Sequence, residues 1–145
     1  MNVIAMIQTV AYSEASPVIR AVRTQVFQVE QHIDPAVEVD GLDETAFHLL
    51  AIQDSKVIGT TRVRVLSDRI AKIERVAVLP DYRKRGFGKK LMETAIALVR
   101  DRQIPEVKLN AQVHARSFYE KLGFQQWSEE FQEAGILHIE MRRYV

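Results

Sequence analysis

Val76-Ala77-Val78-Leu79-Pro80-Asp81-Tyr82-Arg83-Lys84-Arg85-Gly86-Phe87-Gly88-Lys89-Lys90-Leu91-Met92 reads as an apolar strand, a proline stop, a basic glycine loop and the start of a helix. That order builds an anion cradle. Glycines let backbone amides approach a ligand closely, and the positive end of the helix dipole faces it. The ligand expected here carries a pyrophosphate. The spacing Arg83-x-x-Gly86-x-Gly88 distinguishes the loop from two other phosphate loops. A dinucleotide fingerprint has a third glycine where Leu91 stands, and a P-loop ends in Gly-Lys-Ser/Thr where this chain has Gly88-Lys89-Lys90.

Outward from this stretch, residues 69–79 form the strand and residues 86–102 the helix, with Leu91, Met92, Ala95, Ile96 and Val99 on its inner face. By alternation Glu74, Val76 and Val78 share one side of the strand. Residues 2–10 form a first strand. Ser16-Pro17 starts a helix that runs to Val29, with Ile19, Val22, Val26 and Val29 on one face. Residues 32–43 are a loop or a short irregular helix, and residues 47–53 and 56–66 are a hairpin around Asp54-Ser55. Pro105 ends the second helix. Residues 106–112 form a strand, 115–122 a short helix closed by Gly123, and 124–129 and 137–144 an antiparallel pair. The order is that of an α/β (α+β) domain covering residues 1–145. Its mixed, largely antiparallel sheet has six to seven strands and is flanked by about four helices.

Composition excludes several functions. The chain has 145 residues, 47% of them apolar, enough for one core. No run approaches the ~20 apolar residues of a membrane span, and the first ten residues lack a basic start and cleavage site, so a cytoplasmic location is expected. With no cysteine, disulfides, thiolate metal sites and a cysteine acyl-enzyme are excluded. Net charge is +1, unevenly spread. Arg83, Lys84, Arg85, Lys89 and Lys90 crowd the loop, and the rest of the chain holds 15 basic against 19 acidic residues. From Glu30 to Glu44 there are six acids and no Lys or Arg. An anionic cofactor and a cationic acceptor suit these two spots. One basic loop on a near-neutral chain does not suit nucleic acid.

The loop Arg83-x-x-Gly86-x-Gly88 resembles the acyl-coenzyme A loop of the GNAT superfamily of N-acyltransferases. Ala115-Arg116-Ser117-Phe118-Tyr119-Glu120-Lys121-Leu122-Gly123-Phe124 resembles that superfamily's late helix and following strand. Within it, Arg23-x-x-x-Val26-Phe27-x-Val29-Glu30-Gln31 and Glu38-x-Asp40-x-x-Asp43-x-x-Ala46-x-His48 are similar to the ElaA/YjcF-like branch of small bacterial members. Val113-His114-Ala115 and Glu133-Ala134-Gly135-Ile136-x-His138 fit that branch too.

The resemblance implies acetyl-coenzyme A as co-substrate, no metal, and a small-molecule or peptide amine as acceptor, in a monomer or homodimer. It implies that backbone at Val76, Ala77 and Val78 pairs with the pantetheine arm between two splayed strands. Amides of Arg85, Gly86, Phe87, Gly88 and Lys89 would hold the pyrophosphate, with Arg83 and Lys84 adding charge. Gln112 stands where many members have Asn, and can bond the same groups. Tyr119 matches the tyrosine that protonates the leaving sulfur.

Acyl transfer needs a neutral amine, and deprotonating an alkyl ammonium at pH 7 costs roughly 4–5 kcal/mol. Glu74, at a place where the family often carries an acid, is either the base or a glutamate paired with Arg62 or Arg75. Glu38, Asp40 and Asp43 either draw in the acceptor or make caps and salt bridges to Arg20 or Arg23; a hard-cation loop lacks the required spacing. His48 is either a buried histidine or a substrate contact. His114 and Ser117 read as helix-surface polar residues, since no Gly-x-Ser-x-Gly elbow accompanies them. Two rival readings remain. The early Arg…Phe…Glu-x-Asp-x-x-Asp pattern echoes acyl-homoserine lactone synthases, and a non-catalytic acyl-coenzyme A sensor would keep the same loop.

Overall fold

The computed structural model describes residues 5–145. Strand β1 (Ala5–Ala11) is therefore seen from Ala5, and the first residues of the expected strand lie outside the described ones. Helix α1 (Tyr12–Arg23) begins earlier than Ser16-Pro17, because the Glu14 carboxylate accepts the Ala11 N–H at 2.8 Å. Ala15 leaves helical geometry (φ −145°, ψ 18°), so Pro17 follows a kink, where its missing N–H costs little.

The helix then continues as a π-helical segment, Thr24–Glu30. The i→i+5 pattern shifts the inward face. Ile19, Val22, Val26 and Phe27 are buried, while Val29, expected inside, is 56% exposed. Of the two readings for residues 32–43, a short helix is present: α2 (Pro35–Glu38), capped by Asp34 on the Ala36 N–H.

Strands β2 (Phe47–Gln53) and β3 (Lys56–Val65) form the hairpin, with both Asp54 and Ser55 at positive φ as a two-residue turn requires. They are followed by β4 (Ile70–Val78), α3 (Phe87–Asp101), β5 (Glu106–Gln112), α4 (Arg116–Glu120), β6 (Gln125–Gln126), β7 (Phe131–Glu133) and β8 (Ile136–Tyr144). The sheet order is β1-β2-β3-β4-β5-β8-β6, with β7 also on β8, giving eight strands. The excess over six to seven arises because residues 124–129 are not one strand. β6 and β7 are two pieces of a broken edge on β8, separated where Trp127 N–H donates to Glu140 O at 2.8 Å. All five expected α3 residues are buried against one face of the sheet, beside Ile58, Val63, Ile73, Leu109 and Ile139. The α1 and π segments cover the other face through Ile19, Val22, Val26 and Phe27.

Two irregularities in β4 make the site. Its parallel pairing with β5 covers only Ile70↔Glu106, Ala71↔Val107 and Lys72↔Lys108, after which the strands part. The second is a bulge against β3. Thr60 pairs with Ala77 and Arg62 with Glu74, so Arg75 and Val76 together oppose Thr61, and Arg75 takes φ +56°. The extra residue reverses the alternation. Ala71 and Ile73 face the α3 core before the bulge; Val76 and Val78 do so after it, while Ala77 faces Val22 and Val26. Glu74 therefore does not share a side with Val76 and Val78, as simple alternation had it.

At Gly59, β3 passes close to α3 and β4. A Cβ there would meet Ala77 O at 3.0 Å, and Leu91 Cδ1 and Val78 Cγ2 at 3.3 Å. Gly59→Ala is expected to cost about 1–3 kcal/mol of stability, read by urea unfolding, because backbone must move. An unchanged midpoint would contradict this packing.

Candidate active site

The parting of β4 and β5 opens a cleft of about 820 Å³. Its walls include Phe27, Glu30 and Gln31 from the π segment and the turn after it, Glu38 and Asp40 near α2, residues 72–78 of β4, and Asn110 and Gln112 of β5. Tyr119, Glu133 and His138 complete it. Of the expected site residues, Glu38, Asp40, Glu74, Val76, Ala77, Val78, Arg83, Gln112 and Tyr119 line the cleft. Lys84, Arg85, Gly86, Phe87, Gly88 and Lys89 follow Arg83 along the chain, outside that lining. Asp43 and His48 lie behind the wall.

The loop has the geometry of an anion cradle. Lys84 (φ 62°) and Gly86 (φ 85°) turn the chain in left-handed conformations, and Gly86 caps α3. The first-turn amides of the helix have no intrahelical acceptor. Phe87 is buried in the core. Arg83 differs from expectation. Its guanidinium makes two 2.6 Å bonds to Glu30 and one of 2.9 Å to Val78 O. Its charge is matched, and it ties the loop to the π segment; free positive charge at the loop comes from Lys84, Arg85, Lys89 and Lys90.

Tyr119 packs edge-on against Phe118 and Phe124, with ring centroids at 5.0 and 6.1 Å. Burial alone pushes its hydroxyl up to about 12, so it keeps its proton at every physiological pH. Gln112 donates to Gln31 Oε1 at 2.9 Å, and its own oxygen lies 2.6 Å from His114 Nε2.

The acidic residues are held by arginines. Asp43 bonds Arg23 at 2.6 Å and Arg62 at 3.0 Å; Glu38 bonds Arg23 at 2.9 Å; Asp40 bonds Arg62 at 2.7 Å and Arg75 at 3.2 Å. Glu74 meets Arg62 (2.6 Å), Arg64 (2.8 Å) and Lys72 (3.2 Å). Burial works to raise the Glu74 pKa, but Arg64, Arg62 and Lys72 outweigh it and hold the carboxyl at about 2. A group so acidic, bound by three cations, is a poor base at neutral pH. That corrects the first reading of Glu74 and selects the paired one. His48 is 1% exposed, bonded through Nε2 to Asp43 O at 2.9 Å, and kept neutral by burial. His48 and Asp43 are both buried behind the cleft wall. The counter-charges of this acidic stretch come from Arg23 on α1, Arg62 on β3 and Arg75 on β4.

Sequence reasoning missed one further group. His138 Nδ1 lies 2.7 Å from Ile136 O, which can only accept, so Nδ1 carries the proton. Its Nε2 lies 3.6 Å from Glu133 Oε2, while Glu133 Oε1 accepts from Asn110 at 3.1 Å. The Glu133–His138 turn was visible as a family likeness, but nothing in the sequence placed it beside Asn110.

An acetyltransferase (GNAT) domain model matches residues 10–145. YjcF of Bacillus subtilis (strain 168), an uncharacterised N-acetyltransferase, is 35% identical over 123 residues, covering 84% of this chain and 87% of that protein. An acyl-CoA N-acyltransferase from Pseudomonas aeruginosa superposes with TM-score 0.81 at 33% identity, covering 98% and 99% of the two chains. Escherichia coli ElaA superposes with TM-score 0.86 at 28% identity, covering 97% and 99%.

The Glu74 pKa, lowered from 4.5 to about 2, has a consequence for folding. Its stabilising effect is fully present above about pH 4.5 and is lost as pH falls through about 2. The shift amounts to about 3 kcal/mol. Glu74→Gln should lose stability of this order at pH 7, and the gap from wild type should narrow as pH drops to 2.5. Urea titrations at both pH values check this; a gap that does not change with pH would contradict it.

Proposed function

The chain belongs to the GNAT acetyltransferase family, in its ElaA/YjcF-like branch, and on that premise we propose that it is an acyl-coenzyme A-dependent N-acyltransferase. It moves acetyl from acetyl-coenzyme A directly to a primary amine of a small molecule or peptide. The observation that carries this reading is the gap between β4 and β5 running from Lys72 toward the Gly86–Gly88 loop, with Tyr119 on its wall. Pyrophosphate would rest on the amides from Arg85 to Lys89, and the arm would pair with β4 backbone from Val76 to Val78, which past Lys72 has no β5 partner. The acyl carbon would then lie in the wide part of the cleft.

The neutral amine nitrogen attacks the thioester carbonyl. A C–N bond forms, the C–S bond breaks, and the Tyr119 hydroxyl gives its proton to the leaving sulfur. The proton shed by the nitrogen restores the phenol. Before attack the ammonium must lose one more proton, and with Glu74 held by cations the open Nε2 of His138 is the acceptor we assign, with half-exposed Glu133 leading on to solvent. Held geometry supplies the rest of the rate. An acyl-homoserine-lactone-synthase-like enzyme or a sensor without turnover would keep the same fold, and neither is favoured by a particular contact.

Tyr119→Phe should leave acetyl-coenzyme A affinity unchanged in calorimetry and lower kcat by about 10²-fold or more in a thiol-release assay over a panel of amines. Equal activity would remove Tyr119 from the chemistry, and binding without release on any amine would favour the sensor. Gly88→Glu places a carboxylate in the cradle. Its Cβ would meet only Phe118, at an ordinary 3.5 Å, so the fold should persist while coenzyme affinity falls by about 100-fold or more. Unchanged affinity would refute the loop assignment. His138→Gln should lower kcat/KM about tenfold or more with acetyl-coenzyme A affinity unchanged in calorimetry; unchanged kcat/KM would leave His138 a packing role.

A further inference from the structure

The cleft floor rests on a cluster of ion pairs. Arg23, Arg62, Arg64, Lys72 and Arg75 surround Glu38, Asp40, Asp43 and Glu74, so five cations meet four carboxylates. Arg23 and Arg62 are sealed inside. Arg64, Lys72 and Arg75 line the cleft, with side chains 23%, 20% and 23% exposed. Two of them share one oxygen, since Arg64 and Lys72 both meet Glu74 Oε1. Arg75 is the most loosely held. Its bonds to Val37 O, Glu38 O and Asp40 Oδ2 are all 3.2–3.4 Å, and the bulge that presents it keeps a non-glycine residue at φ +56°. Burial, with Arg62 nearby, lowers the Arg75 pKa, the mark of a cation short of counter-charge. Across the cleft the charge is reversed: Glu133, 44% exposed, stands beside the open Nε2 of His138.

We infer that the acceptor carries an anionic group, a carboxylate or a phosphate, on the same molecule as its amine, and that Arg75, Lys72 and Arg64 receive that group. The inference rests on the N-acyltransferase reading and reverses the cationic acceptor expected from the acidic run. The amine faces Glu133 and His138, and the anion faces the floor. Cation and anion in this low-dielectric floor attract more strongly than in water, and the anion adds to the one carboxylate, Asp40, that Arg75 shares with Arg62. An amine without an anionic group leaves Arg75 with that shared carboxylate alone.

The test pairs amines that differ only in the anion: leucine against isopentylamine, and phosphoethanolamine against ethanolamine. With acetyl-coenzyme A saturating, the anionic member of at least one pair should show about tenfold or higher kcat/KM, the pair identifying carboxylate or phosphate. Arg75→Gln and Lys72→Met should each bring that ratio toward one, through KM, with coenzyme affinity in calorimetry unchanged. Equal or better use of the uncharged partner in both pairs overturns the inference while leaving the acyltransferase reading intact. Loss of acetyl-coenzyme A binding in the wild type overturns the reading instead. Should no amine react, calorimetry with N-acetylleucine and N-isopentylacetamide decides the point: preferential binding of the carboxylate supports the floor as an anion site, and equal binding overturns it.

Discussion

Arg62 has no exposed surface, and a sealed guanidinium must be matched on its whole rim. Asp40, Asp43 and Glu74 do this from a loop and a neighbouring strand. The constraint reaches far. It draws the acidic stretch after the π segment down onto the sheet, where Arg23 and Arg75 bind it again. That stretch becomes one wall of the cleft. Leaving one partner uncompensated in such a cluster costs more than the cluster contributes over an apolar core, so its value lies in fixing one arrangement of the wall.

The strand beside Arg62 adds the second requirement. A regular β4 paired along β5 would leave neither a gap nor backbone for a ligand. Three paired residues hold the strands at one end, and divergence does the rest. The bulge at Arg75 turns the later part of β4 over, so Val76 and Val78 pack on α3 while Ala77 meets the π segment. One inserted residue thus joins the apolar core, the coenzyme edge and the charged floor.

Much of the fold was legible because it follows short-range rules. The α3 stripe from Leu91 to Val99, the Asp54-Ser55 turn and the Pro80–Gly88 loop are local patterns, and all stand where periodicity puts them. What sequence missed depends on register or long-range pairing. Val29 turned outward because π geometry replaced the 3.6 period. Glu74 changed sides because a bulge leaves no mark in composition. Arg83 looked free until Glu30, 53 positions earlier, was brought against it. Of the partners of the acidic run, Arg23 was legible from the sequence, whereas Arg62 and Arg75 lie on strands 22 and 35 residues from Asp40 and were not.

The broken outer strand bears on how copies of the chain meet one another. β8 is nine residues long, and a full-length partner on its outer side would expose an equally long row of unpaired amides and carbonyls. Two fragments of two and three residues stand there, divided by Trp127, Ser128, Glu129 and Glu130. Another strand arriving at that flank finds no continuous ladder to extend, and two carboxylates at the interruption. The sheet ends on this side as a closed boundary against open-ended fibre growth, built from the same chain interruption that sets Glu133 beside the cleft.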